Sequence, residues 1–345
     1  MVALLVRSAC QSIDATAPPD ETVPTAGSTY ENPVLNADTP DPSVVLDGAS
    51  RKFLIFSTAP RAGSFRIPVI GTADFRNWDT PTEAMPSGPA WATAALERFW
   101  APDVTRAPTG GWRLFFTAQD ARSGRQCIGV ALAPRPRGPY VSTSTPLACP
   151  TQAGGAIDPS VYTSRGKHWL IYKVDGNCCA LPSQIRSIAL SADLLATVGT
   201  DQLLLEVSEP WQRWKGSTIS PRSTIEGPAM ISVAGRTYLI YSGNGWDSAD
   251  YAVGVAVCAG PRGPCQETRS LPVLSATGDV AGPGGASPFQ DGAGNWYLAY
   301  HGWNSCCVGY SSGGRRALFI DALEFTGSSI VVVGPTNVPM PSPVP

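Results

Sequence analysis

One unit recurs five times along this chain, and the recurrence limits the fold more than any other feature. Each unit opens with a Pro-containing segment: PDPSVV (40–45), APDVTR (101–106), IDPSVY (157–162), EGPAMI (226–231) and GASPFQ (285–290). Four of these carry an acidic residue beside the proline, and the fifth has proline alone. A short turn later comes an apolar-aromatic run: RKFLIFST (51–58), GWRLFFTA (111–118), KHWLIYKV (167–174), RTYLIYSG (236–243) and NWYLAYHG (295–302). Glycine commonly precedes these runs, as hairpin turns require. A third run is visible in several units, as in CIGVALA (127–133), QIRSIAL (184–190) and YAVGVAV (251–257). A period of about 55–70 residues with three or four antiparallel strands per unit predicts a β-propeller blade. Five units predict an all-β, five-bladed propeller. The second run is apolar on both faces because neighbouring blades cover it.

Composition agrees. Only 15% of the 345 residues are charged, while Gly (35) and Pro (33) are abundant. That mixture suits short strands joined by tight turns and does not suit a helical bundle. The net charge is −2 and no Lys/Arg run occurs, so neither nucleic acid nor an anionic membrane is an expected partner. No apolar run approaches the roughly 20 residues of a membrane span. Residues 1–30, rich in Ala, Thr, Pro and Ser, read as leader or linker; the propeller spans 31–334; residues 335–345, PTNVPMPSPVP, read as a Pro-rich tail. The chain is expected to be monomeric.

Nine cysteines include two adjacent pairs, Cys178-Cys179 and Cys306-Cys307. No CxxC or His-rich spacing accompanies them, so no zinc site is expected. Cys127 with Cys149, and Cys258 with Cys265, suit local bridges. Cys10 is left over, and the remaining eight point to an oxidising, extracellular compartment. The apolar run in MVALLVRSAC is short for a signal peptide. Both adjacent pairs follow second strands, which return to the end where the first strands begin. They are therefore expected on the rim of that mouth, as rim disulfides within each pair, between the pairs or to another loop. Trp100, Trp246 and Trp303 fall on rim loops too, where an aromatic face can stack on a sugar.

First strands of propeller blades line the central channel. Asp41, Asp103, Asp158 and Glu226 are therefore expected to gather at one mouth, although far apart in sequence. Two carboxyl groups facing each other across a pocket can cleave a glycosidic bond. One donates a proton to the leaving oxygen and the other activates water. A third can raise the donor's pKa by like-charge repulsion. No Gly-x-Ser-x-Gly occurs, and His168 and His301 are the only histidines, so a Ser-His-Asp triad is not supported.

The blocks NPVLNADTPDPSVV, FWAPDVTR, GGAIDPSVY, IEGPAMI and YLAYHGW…GGRRALFIDAL, from about 32 to 325, resemble the signature blocks of glycoside hydrolase family 43. The resemblance implies a five-bladed propeller acting on arabinose- or xylose-containing oligo- or polysaccharide, with no cofactor for the chemistry. It implies Asp41 as general base, Glu226 as general acid and Asp158 as the third carboxylate. An inverting mechanism would hold Asp41 and Glu226 roughly 6.5–9.5 Å apart. His301 matches a histidine near the channel axis associated with a cation, often calcium, and Arg316, with Arg315 as the neighbouring alternative, matches an arginine reaching into the site. His168, inside a strand, is expected to be structural. Two departures stand out: GPGGASPF in the fifth unit, where many relatives have His or Asp after the glycines, and the cysteine pairs. The expectation is a secreted, inverting α-L-arabinofuranosidase. β-Xylosidase and endo-arabinanase are the alternatives within the class; a non-catalytic carbohydrate-binding propeller and a scaffold for protein partners are the alternatives outside it.

Overall fold

The computed structural model describes residues 28–61, 63–214, 223–326 and 329–345. Cys10 and most of the expected leader lie outside them. Among the described residues, five four-stranded antiparallel sheets follow one another along the chain. Blade one comprises Ser43–Asp47, Lys52–Phe56, Pro68–Thr72 and Thr82–Glu83; blade two Phe99–Arg106, Trp112–Gln119, Gln126–Ala133 and Val141–Ser142. Blade three comprises Ala156–Ser164, Lys167–Val174, Gln184–Leu190 and Thr197–Glu206. Blade four comprises Ile225–Val233, Arg236–Gly243, Ala252–Cys258 and Cys265–Glu267, and blade five Val280–Gln290, Trp296–Asn304, Ala317–Thr326 and Ser329–Val332. This is the five-bladed propeller that the repeat predicts.

The core is divided among the blade interfaces. Phe56 and Leu114 pack in the cluster between blades one and two, Leu170 and Ile128 between two and three, and Ile171 and Leu239 between three and four. Ile240 and Leu298 pack between four and five, and Phe53 and Leu318 between five and one. The second strands feed two clusters each, with odd residues turned to one neighbour and even residues to the other. In Lys52–Phe56 every residue but the first is buried, which is why the alternation of a half-exposed strand is missing.

The ring is closed by the chain ends. Thr29–Tyr30 pairs with Met340–Pro341, and the Asn32 amide bonds Ile320 O and Thr336 on blade five's side. Gly292 N donates to Val344 O, so residues 340–344 of the Pro-rich segment lie against the propeller.

Candidate active site

Each first strand carries an irregularity at the channel mouth. The residues there, Asp41, Ala101, Asp158, Gly227 and Gly285, all have left-handed φ, between 42° and 58°. In four of the blades the ladder shifts register at this point. Asn and Asp tolerate left-handed backbone better than most residues, and Gly does so freely, so four of these positions suit the bend and Ala101 is the exception. The bend turns the side chains of Asp41 and Asp158 into the mouth. This alignment also corrects the expectation of four equivalent acids. Asp41 and Asp158 are equivalent. Glu226 precedes its bend residue by one, and Asp103 follows its own by two, where the other blades have Ser43, Ser160, Ala229 and Ser287. Asp103 thus lies deeper and joins blades: Oδ2 accepts Val161 N–H at 2.9 Å, and Ser43 Oγ lies 3.5 Å from Oδ1. Burial raises its pKa to about 6 against these two hydrogen bonds.

A ring of second-strand side chains holds the bends in place. Thr58 Oγ1 accepts Ala101 N–H (2.8 Å), Thr117 Oγ1 accepts Asp158 N–H (3.1 Å), Ser242 Oγ accepts Gly285 N–H (3.0 Å) and His301 Nδ1 accepts Asp41 N–H (3.2 Å). Blade three breaks the pattern. Its equivalent slot holds Lys173, paired with Ile157 as Thr117 is with Trp100 and Ser242 with Glu226. An ammonium cannot accept a hydrogen bond. The orphaned Gly227 N–H donates instead to Asp158 Oδ2 at 2.9 Å. Lys173 Nζ, free of the ring, reaches Glu226 Oε2 at 2.8 Å and Asp175 Oδ1 at 3.2 Å. Tyr251 OH donates to the other Glu226 oxygen at 2.9 Å.

Asp41 and Asp158 sit in opposed electrostatic surroundings. Burial pushes Asp41 up, but the Arg316 guanidinium (3.4 Å), the neighbouring His301 and the Thr58 hydroxyl (2.6 Å) outweigh it and keep the carboxyl well below the usual range. Burial raises Asp158, and the Glu226 charge raises it further, with Lys173 opposing. Burial alone would lower Lys173, but Glu226, Asp175 and Asp158 keep it firmly protonated. The cavity is about 770 Å³ and is lined by Asp41, Asp103, Asp158 and Glu226 along with Lys173 and Tyr251.

His301 Nδ1 lies 3.2 Å from Asp41 N and 3.3 Å from Asp41 Oδ1, and burial lowers the ring's pKa while Asp41 opposes that. Only Nε2, buried and without a partner, remains to meet a cation. Calcium also seeks six to eight oxygens, and no cluster of three or more His, Cys, Asp or Glu occurs among the described residues. The expected calcium site is therefore not supported; His301 serves as the hydrogen-bond acceptor of its slot. His168 bonds Thr163 at 2.8 Å within its strand pair.

Of the rim aromatics, Trp246 and Trp100 line the cavity. Trp246 is 39% exposed and lies under Arg316, whose guanidinium carbon is 4.7 Å from the ring centre. Trp100 donates its indole N–H to Glu97 O. Trp303 corrects the expectation: it is fully buried, donates to Trp246 O at 3.0 Å and stacks on Trp246 from behind. It supports the platform and does not form it. Arg316, not Arg315, faces Asp41; Arg315 bonds Asn36 O elsewhere. Tyr310 OH accepts from Arg316 Nε and donates to Asp38. Lys173, Tyr251 and Tyr310 were not anticipated. For Lys173 there was a signal: a lysine inside a run that must be buried on both faces.

Cys127–Cys149 and Cys258–Cys265 are bridged as expected. Cys178 bridges its neighbour Cys179 in the short Gly176–Cys179 turn. Cys306 and Cys307 are free thiols, contrary to the expected second rim disulfide. Their turn is closed by the backbone bond from Cys307 N to Asn304 O, which holds without joining the sulfurs.

Comparison with known proteins places this geometry in context. The β-D-galactofuranosidase xynD of Aspergillus niger is 23% identical over 291 residues, 80% of this chain and 77% of the relative. A thermostable family-43 glycoside hydrolase of known structure is 27% identical with a TM-score of 0.77, over 91% of this chain and 99% of the other. The α-L-arabinofuranosidase of Lactobacillus brevis shares the fold at a TM-score of 0.69 and 17% identity, over 92% and 98% of the two chains. The family model for glycosyl hydrolases family 43 matches residues 30–329. The chain belongs to glycosyl hydrolase family 43.

Proposed function

We propose that this chain is a secreted, inverting α-L-arabinofuranosidase acting on plant-type polysaccharide. The observation that carries the reading is that Asp41, Asp158 and Glu226 line one mouth, with Asp41 set against Arg316 and Glu226 held by Lys173 and Tyr251. Asp41, kept ionised by Arg316, takes a proton from water as that water attacks the anomeric carbon. Glu226 delivers a proton to the leaving oxygen as the glycosidic bond breaks. Asp158, which favours its protonated form beside Glu226, orients the acid and shares its proton. Asp41 stands on blade one and Glu226 on blade four, which are not neighbours in the ring. Inversion requires room between them for a water beside the sugar. Trp246, held between Trp303 and Arg316 and still 39% exposed, presents its open edge as an apolar contact for the arabinosyl ring. Trp100 and Asp103 complete the proposed sugar-contacting wall. The disulfides support secretion.

The arabinosyl choice draws on the Lactobacillus brevis neighbour. A second reading, β-D-galactofuranosidase, draws on the Aspergillus niger relative. The two furanosides share ring configuration and differ by one carbon on the exocyclic arm, so one pocket can be asked about both. The test is product release from p-nitrophenyl α-L-arabinofuranoside, β-D-galactofuranoside and β-D-xylopyranoside, with Asp41→Asn as the blank. Release from the arabinoside, lost in the variant, is expected. Preference for the galactofuranoside or xyloside moves the substrate accordingly. Silence on all three overturns the arabinofuranosidase reading and leaves an endo-acting enzyme or a binding propeller, which a polysaccharide digest separates.

A further inference from the structure

We infer that Asn177 and the Cys178–Cys179 disulfide form the subsite for the leaving saccharide, an inference that rests on the glycosidase reading above. The two walls of the mouth differ in kind. Arg316, Tyr310 and Trp246 stand by the base Asp41, which suits the sugar being attacked. The opposite wall is continuous with the acid. Lys173, bonded to Glu226, is the penultimate residue of blade three's second strand; Asp175 comes after Val174, and the turn Gly176–Cys179 follows directly. A general acid protonates the leaving oxygen, so the departing sugar lies on the acid's side.

Three features make this turn a binding surface. Asn177 and Cys178 both line the cavity, and Cys178 is exposed there. Asn177 Oδ1 is buried without a hydrogen-bond partner. An unpaired buried acceptor is costly, and turning the carboxamide into the cavity that Asn177 lines would pair it with a sugar hydroxyl. The disulfide offers a soft, polarizable, apolar patch suited to the C–H face of a pyranose or furanose. The turn is also rigid. Arg125 packs on Cys179 Sγ, Leu181 N bonds Gly176 O at 2.9 Å, and a side chain at Gly176 would strike Pro182 O. A rigid turn loses little entropy on binding.

The test compares kcat/KM on an arabino-oligosaccharide with that on p-nitrophenyl α-L-arabinofuranoside, whose leaving group has no hydroxyl to offer Asn177. Asn177→Ala is expected to lose about 3- to 10-fold more on the oligosaccharide than on the aryl glycoside, the size of one neutral hydrogen bond, and mainly in KM. Cys178→Ala/Cys179→Ala is expected to shift the same ratio in the same direction. Thermal melting of each variant checks folding, and Asn177→Ala keeps the disulfide, so it carries the test alone if the double variant does not fold. Equal losses on both substrates, or none, overturn the subsite while leaving the enzyme reading intact. Failure of the unsubstituted enzyme on both substrates overturns the arabinofuranosidase reading instead, and the leaving-group subsite with it.

Discussion

Replacing Lys173 with methionine should expose how the acid end of the site is held together. The Lys173 side chain is 1% exposed, and those of its partners Glu226 and Asp175 are 11% exposed. Methionine keeps most of the volume and removes the charge, leaving two buried carboxylates and the nearby Asp158 without a cation. Deleting one partner of a buried ion pair costs about 3–5 kcal/mol. For a domain of this size that corresponds to a fall in Tm of roughly 5–8 °C. The measurement is denaturant unfolding at pH 7 for Lys173→Met, Glu226→Gln and the double variant. Coupling between the pair should make the double variant at least about 1 kcal/mol more stable than the sum of the single losses predicts. The pH dependence has a defined sign. Burial and the Glu226 charge raise Asp158 above its ordinary value, and Lys173 opposes them. A carboxyl raised on folding contributes stability that is complete below its unfolded pKa and lost as pH rises through the folded value. Without Lys173 that loss grows, so the deficit of the variant should shrink as pH is lowered from 8 towards 5. Additive losses, a deficit below about 1 kcal/mol, or a deficit that widens on acidification would refute the reasoning.

Glu226→Gln should reduce turnover severely on saccharides with poor leaving groups and less on activated aryl glycosides, which need little protonation; equal losses would remove Glu226 from the acid role. Arg316→Met removes the largest opposing influence on buried Asp41, so the acidic limb of kcat/KM should move to higher pH by about one unit or more, as a pH–rate profile would reveal. Gly285→Ala places a Cβ 2.6 Å from Asp41 Oδ1 and from His301, at a φ of +58°, so both Tm and activity should fall; near-normal values for both would contradict the packing described. Trp246→Ala should raise KM about 3- to 10-fold on arabinosides through loss of its apolar edge and of the ring that supports Arg316, with kcat less affected.

Much of the architecture was legible in the chain. The second strands of blades three and four, Lys167–Val174 and Arg236–Gly243, match the apolar-aromatic runs residue for residue. Their signal is local, since a run buried on both faces must be apolar throughout. Asp41, Asp158 and Glu226 were legible because proline marks each first-strand entry. Aligning on that proline also separates Asp103 from the others, a distinction visible in the sequence but read only once the bends were seen. Trp246 and Trp303 are alike as sequence; which of them faces the cavity depends on how the rim loops of blades four and five stack.

What the sequence determined by itself was the repeat, its count and the residues opening each blade, because strand periodicity and turn chemistry act over a few neighbours. The tertiary structure decided the chemistry of the mouth. Slots on five second strands meet only when the ring closes, and there Thr58, Thr117, Ser242 and His301 accept backbone N–H groups while Lys173 cannot. That single exchange of acceptor for cation sends Asp158 to Gly227 N–H and Lys173 to Glu226. Charges separated by some fifty residues set one another's protonation only at hydrogen-bond distance in a buried, low-dielectric mouth, and only the closed propeller brings them there.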